Sequence, residues 1–308
     1  MRFSSLSPSK AGRISSIRET SSWLSELRIW NSSSTPRLKG ALLPKFCSTG
    51  AATIAAMGVV DVPVRGTQVR IRRWGSEDGK PLFYWHGGGG GSGETPVLAP
   101  PLAAAGYTVY ALDAPGYGDS PPLDPEGYAP PKLAGLAADL LDELGLVPAV
   151  WIGYSWGASI GLHTAARFPA SIRALGLLDG GYLVAQDDPD YDPNTDYEDE
   201  LEELRRRAED GESWDAPPEV IGASMVASRL APCTALYPTL AESGIPILLA
   251  RATEPPELER VRGAALRRFR AGLPHARVVA IPNATHGILG DNGPEVMRVL
   301  LAWLDELG

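Results

Sequence analysis

The sequence predicts an α/β architecture, a mostly parallel, doubly wound sheet with an inserted helical cap. Three observations lead there. From Val59 onward, short apolar runs alternate with stretches of helical periodicity. The later runs are apolar at nearly every position, as parallel strands covered on both faces are. One long interval, residues 181–244, breaks the alternation.

Taken in order, Thr67–Trp74 (TQVRIRRW) alternates as a half-exposed early strand does. The runs Pro81–Trp85 (PLFYW), Thr108–Leu112 (TVYAL), Val150–Gly153 (VWIG) and Ala174–Leu178 (ALGLL) follow. Past the long interval come Pro246–Ala250 (PILLA) and Arg277–Ile281 (RVVAI). Between them, Lys132–Leu144 sets Leu133, Leu136, Leu140, Leu141 and Leu144 on one helical stripe. A helix over Pro294–Leu307, with Val296, Leu300, Leu301 and Leu304, closes the chain. Residues 57–180 and 245–308 therefore form the expected core. The interval 181–244 is far longer than an ordinary connection. It carries Leu201, Leu204, Val220, Ile221, Met225 and Leu230 to bury, so it reads as a helical cap over the sheet's C-terminal edge.

With 308 residues and 44% hydrophobic content, the chain can build one large domain plus an insertion. A net charge of -9 and a pI near 5.1 argue against nucleic-acid or anionic-membrane partners, which need a basic face. Cys47 and Cys233 offer neither a disulfide framework nor a metal-ligand pair, so a reducing compartment is expected. No apolar run reaches bilayer-spanning length. Residues 1–56 differ in character, with eight Lys or Arg, two acids and many serines; from Met57 onward the balance is -15. That segment reads as a disordered extension ahead of Met57, or as a transit-like leader. The expected location is cytoplasmic, and organellar only if the leader is genuine.

The chemistry centres on Gly153-Tyr154-Ser155-Trp156-Gly157, a G-x-S-x-G motif between the strand VWIG and the helical run ASIGLHTAARF. A nucleophilic serine there sits on a strained strand-to-helix turn, and small flanking residues let strand and helix approach.

At this point the chain resembles the α/β-hydrolase superfamily over about residues 59–308. His86-Gly87-Gly88 follows a strand as the family's oxyanion loop does, and Asp113-Ala114-Pro115-Gly116-Tyr117-Gly118-Asp119-Ser120 is similar to its D-x-P-G-x-G-x-S turn. The elbow follows, and then a histidine after the last strand. The resemblance is to the esterase, haloperoxidase and epoxide-hydrolase branch. It implies the α/β-hydrolase fold and a serine nucleophile, Ser155, where epoxide hydrolases and haloalkane dehalogenases of this fold carry aspartate.

Four histidines compete for the role of base. The resemblance gives His86 a structural place in the oxyanion loop. His163 lies two turns into the helix after Ser155, and His275 precedes the final strand, at the wrong end of the sheet. His286 follows that strand and returns to the C-terminal edge, where catalytic groups gather in open α/β sheets. The third member stays open between two acids. The family's usual aspartate position falls near Pro255, with Glu254 one residue out of register. Asp179 ends the strand after the elbow helix, ahead of Gly180-Gly181, and is the favoured acid. The oxyanion donors are expected to be the backbone N–H groups of Trp156 and Gly88, with Gly89 as a substrate-binding neighbour. Tyr182 is a candidate pocket residue.

The acids of 187–200 do not complete a calcium loop, because no register supplies both its glycine and its terminal glutamate. They read as a solvated face, and the arginines at 205–207 and 260–270 as surface charge. No metal and no cofactor are indicated. The expected partner is a small-molecule acyl substrate, hydrolysed as an ester, lactone or thioester through an acyl-enzyme. The same triad could serve C–C bond hydrolysis, perhydrolysis, lyase or acyl-transfer chemistry, and a non-catalytic binding relative is the third reading.

Overall fold

The computed structural model describes residues 58–188 and 190–308, so the extension expected over residues 1–56 lies outside the described residues. Eight strands form one sheet in the order β1-β2-β4-β3-β5-β6-β7-β8. They are β1 (Gly58–Val64), β2 (Thr67–Trp74), β3 (Lys80–Trp85), β4 (Tyr107–Asp113), β5 (Ala149–Tyr154), β6 (Ile172–Leu178), β7 (Ile247–Ala252) and β8 (Arg277–Ile281). Strand β2 runs antiparallel to both its neighbours, and every other pairing is parallel. The pattern of apolar runs does not announce β1. At this sheet edge only Val62 and Val64 turn inward, while Val59 and Val60 are exposed.

The period-2 alternation of the buried strands divides their side chains between two layers. Phe83, Trp85 and Trp151 pack with helices α2 (Pro130–Glu143) and α3 (Trp156–Arg167). Leu82, Tyr84 and Ile152 pack on the other face with α1 (Ala99–Ala104) and α8 (Ile288–Leu307). Helix α8 starts earlier than its apolar stripe suggests. It opens with one turn, breaks at Asn292 (φ -145°), and resumes around Pro294, whose missing N–H suits a helix start.

Between β6 and β7 lie α4 (Asp196–Glu209), α5 (Pro218–Leu230) and α6 (Tyr237–Ser243); α7 (Glu259–Gly272) follows β7. The charge readings in and after this insertion need correction. Asp188, Asp196 and Glu200 are buried rather than solvated. Arg229 of α5 reaches Asp196 at 2.9 Å and Glu200 at 2.6 Å, a countercharge sequence alone does not pair with them. Arg207 and Arg262 are buried too. Arg207 pairs with Glu212 and lies 5.8 Å over the Trp214 ring, and Arg262 donates to the carbonyls of Glu254 (2.7 Å) and Pro255 (3.2 Å). Among the described residues, no single helix is long and apolar enough to cross a membrane.

The strand order sets the functional edge. After β3 the chain runs to β4 on one side, and then to β5 on the other. Crossovers diverge there, leaving a crevice at the carboxyl ends of β3 and β5. His86 and Ser155 emerge from those two ends.

Candidate active site

Ser155 caps α3 with φ 49° and ψ -110°, a conformation L-residues rarely adopt. The neighbouring glycines make that turn possible. A Cβ on Gly153 would sit 2.6 Å from the Ala158 nitrogen, and one on Gly157 would sit 2.7 Å from the Trp85 carbonyl carbon. The serine is thus held above the sheet by backbone packing on both sides.

From Ser155 a continuous hydrogen-bonded chain runs inward. Ser155 Oγ lies 2.8 Å from His286 Nε2, and His286 Nδ1 lies 2.8 Å from Asp179 Oδ2. With Nδ1–H donating to the carboxylate, Nε2 is left to accept from the serine hydroxyl. The other carboxylate oxygen accepts from the Ala252 N–H (2.9 Å) and the Tyr182 hydroxyl (3.0 Å). Burial alone would raise the Asp179 pKa, but the bonds from His286 and Ala252 hold it below the ordinary carboxylate value. Asp179 itself has φ 44°, so the strand end turns sharply to aim this side chain. A Cβ on Gly180, just beyond, would crowd the Ser155 carbonyl carbon at 2.8 Å.

Of the two candidate acids, Asp179 is the one brought to His286. Glu254 contributes backbone: its N–H donates to the Ala284 carbonyl at 2.8 Å, and its carbonyl accepts from Arg262. The other histidines are occupied elsewhere. His86 Nδ1–H donates to the Gly87 carbonyl (2.7 Å), and Nε2 accepts from the Ala114 N–H (3.0 Å). Burial lowers its pKa to about 4, so the ring is neutral. His163 Nε2–H donates to the Ala231 carbonyl, and Nδ1 accepts from Arg167. His275 contacts the Ile245 carbonyl.

The Trp156 N–H is the first of α3, where no intrahelical acceptor exists. Across from it, the Gly90 N–H donates to the Gly87 carbonyl at 3.2 Å, closing a turn with Gly88 and Gly89 at its centre. Gly89 has φ 87°, a backbone state that favours glycine.

Three contributions were out of reach of the motifs. The Tyr154 hydroxyl donates to the His286 carbonyl at 2.8 Å, fixing the histidine loop from the elbow itself. Met225 of α5 lies against Gly88, with Sδ and Cε 2.8 Å from where a Cβ would stand. The Trp214-Asp215 segment grips the glycine loop: the Asp215 N–H donates to the Gly89 carbonyl (2.9 Å), and its carbonyl accepts from the Gly118 N–H (2.6 Å). Only Met225 carried a signal, its i, i+4 spacing from Ile221 on an apolar stripe. Tyr182 does line the cavity, but its hydroxyl is turned to Asp179 rather than to a bound molecule.

The cavity has a volume of about 130 Å³ and opens onto Ser155 and His286. Gly181, Leu183, Met225 and Cys233 contribute to its walls. Burial pushes the Cys233 thiol up to about 12, so it is a packing group rather than a nucleophile. Among the described residues, no group of three or more His, Cys, Asp or Glu is placed to hold a metal ion.

An eight-stranded, mostly parallel sheet with a strained serine at the end of its central strand defines a hydrolase-type α/β fold. A family model described as the alpha/beta hydrolase fold matches residues 80–210. The mouse (Mus musculus) bifunctional epoxide hydrolase 2 is 38% identical over 95 residues, which is 30% of this chain and 17% of that protein. The matches to it, to its pig counterpart and to an acetyltransferase component of a bacterial acetoin-cleaving system span 15–30% of the relatives' lengths. A hydrolase structure from Pseudomonas aeruginosa superposes with a TM-score of 0.67 at 17% identity, covering 81% of this chain and 99% of that one. A carboxylesterase structure from the thaumarchaeon Nitrososphaera gargenis gives 0.66 at 18% identity, covering 81% and 98%. The chain has the α/β-hydrolase fold.

Proposed function

We propose that this protein is a serine hydrolase that cleaves a carboxylic ester, or a related acyl compound, through an acyl-enzyme. The observation that carries the reading is the chain Ser155 Oγ–His286 Nε2–Asp179, with both links to the histidine at 2.8 Å. At the nucleophile position, where the resemblance implies aspartate for epoxide hydrolases, this chain has Ser155.

In this mechanism Ser155 Oγ attacks the acyl carbonyl carbon while His286 Nε2 takes its proton. Asp179 stabilises the resulting imidazolium and keeps Nδ1 protonated throughout. Negative charge gathers on the carbonyl oxygen, facing the N–H groups of Trp156 and Gly88, with Gly89 beside them. His286 then protonates the departing alkoxide, and the C–O bond breaks to leave acyl-Ser155. Water enters, gives a proton to His286 and attacks the acyl carbon. Collapse of the second tetrahedral intermediate returns that proton to Ser155 and frees the acid. The helical insertion serves as the cap that encloses the acyl group. The partner is a small-molecule acyl compound rather than nucleic acid or membrane, and the reaction is placed in the cytoplasm.

The test is turnover of a p-nitrophenyl ester panel, with fluorophosphonate labelling of wild type and Ser155→Ala. Labelling and turnover that both vanish in the variant are expected. Labelling that survives it sinks the nucleophile assignment, and absence of both in wild type points to a binding protein.

A further inference from the structure

The walls of the site limit what it accepts, in length and in charge. The cavity beside Ser155 and His286 holds about 130 Å³. That is near the ~150 Å³ that encloses a benzene ring in an engineered apolar cavity, so about five or six non-hydrogen atoms fill it. Sites for drug-sized ligands run from ~300 Å³ upward. Met225 is one of the cavity's walls. It lines the cavity, it is buried, and its Sδ and Cε rest on Gly88, so a side chain from the insertion reaches the loop that faces the carbonyl.

Arg229 is the cationic residue on the wall. Its guanidinium is already engaged, through Nε to Asp196 Oδ2 and Nη2 to Glu200 Oε2. An acyl chain ending in a carboxylate therefore loses its solvation beside a guanidinium that two carboxylates already engage.

We propose that the site takes an uncharged acyl group of about two to five carbons, and that Met225 sets the upper limit. This rests on the acyl-enzyme reading of Ser155. Shortening Met225 to alanine removes three non-hydrogen atoms from the wall, which makes room for about two or three more carbons.

The experiment measures kcat/KM for p-nitrophenyl esters from acetate to decanoate, plus a hemisuccinate ester, with wild type, Met225→Ala and Met225→Leu. In wild type, kcat/KM is expected to peak at or below the valerate ester and to fall at least tenfold by the octanoate. The hemisuccinate should react at least tenfold slower than the valerate. Met225→Ala should move the optimum two or three carbons longer, while Met225→Leu, of similar volume, keeps it. A flat or rising wild-type profile through octanoate, fast hemisuccinate turnover, or an unchanged optimum in a folded Met225→Ala each overturn the proposal. The wild-type series decides the length limit even if Met225→Ala fails to fold. Ester turnover with Ser155-dependent labelling but the wrong chain-length profile refutes the pocket assignment alone. Absence of turnover and labelling alike removes the acyl-enzyme reading on which it stands.

Discussion

Replacing Asp179 with asparagine changes one atom of the carboxylate and should stop the reaction. The Oδ1 position accepts from Ala252 and Tyr182, so the amide oxygen of the variant belongs there. That turns the amide NH2 toward His286 Nδ1, where the carboxylate Oδ2 stood at 2.8 Å. Two donors cannot face each other, so the ring adopts the other tautomer, with Nδ1 accepting and Nε2–H aimed at Ser155. The base is then protonated on the nitrogen that should receive the serine proton. A wrong tautomer of this kind lowers kcat by about 10⁴ elsewhere. That corresponds to about 5 kcal/mol of transition-state stabilisation. Because the hydrogen-bond count around the side chain is kept, stability should change little. Steady-state hydrolysis of p-nitrophenyl butyrate, with circular dichroism melting as a folding check, measures both. Glu254→Gln provides the contrast and should stay within about threefold of wild type. The reasoning fails if a folded Asp179→Asn retains activity within tenfold, or if Glu254→Gln is the crippled variant.

Gly180→Ala should cost at least a hundredfold in turnover, since the new Cβ displaces the Ser155 carbonyl that fixes the elbow; a variant of wild-type activity would contradict that packing. Arg229→Met removes the ion pairs that Arg229 makes with the buried Asp196 and Glu200, a loss of about 3–5 kcal/mol. At ~2–4 °C per kcal/mol, the melting temperature should drop by roughly 10 °C, read by calorimetry. Acidification should destabilise the fold from just below neutral pH. Burial holds His86 and His163 neutral, with pKa values lowered from 6.5 to about 4. The unfolded chain therefore takes up protons that the folded chain refuses, and stability falls as pH drops from about 6.5 to 4. Each ring accounts for roughly 3 kcal/mol of that loss. Asp179, with its lowered pKa, adds to it as pH falls further. Urea unfolding at pH 7 and pH 4.5 should show a clearly lower midpoint at the acid value, and equal midpoints would refute the assignment of neutral rings.

The parts of this molecule legible in the sequence are those governed by local rules. Apolar runs located seven of the eight strands, and the elbow glycines located Ser155, because a strained turn admits few residue types. His286 could be reached by position along the sheet edge. Strand β1 was not legible, since an edge strand with Val59 and Val60 exposed lacks the alternation that marks a half-buried one. Charged residues misled where pairing was tertiary. Arg229 meets Asp196 and Glu200 only because α5 folds back on α4, and Arg262 meets the carbonyls of 254 and 255 only in the folded chain. The acid was ambiguous for a similar reason. Sequence shows two carboxylates at strand ends, but only the sheet register puts the Ala252 N–H against Asp179 and so fixes that side chain toward His286.

The backbone clasp at Trp214-Asp215 bears on how the site admits a molecule. Because residue 215 bonds to Gly89 with its N–H and to Gly118 with its carbonyl, the insertion is stitched to the two loops that frame the crevice. Swinging it aside as a free lid would break both bonds and unmoor the peptide planes next to Gly88. Under the proposed mechanism, entry and transition-state stabilisation are therefore one equilibrium: conformations open enough to exchange large molecules are ones in which the oxyanion is poorly received. Loosening the clasp trades rate for breadth of access, and amide exchange at Gly118 and Asp215 reports where the balance lies.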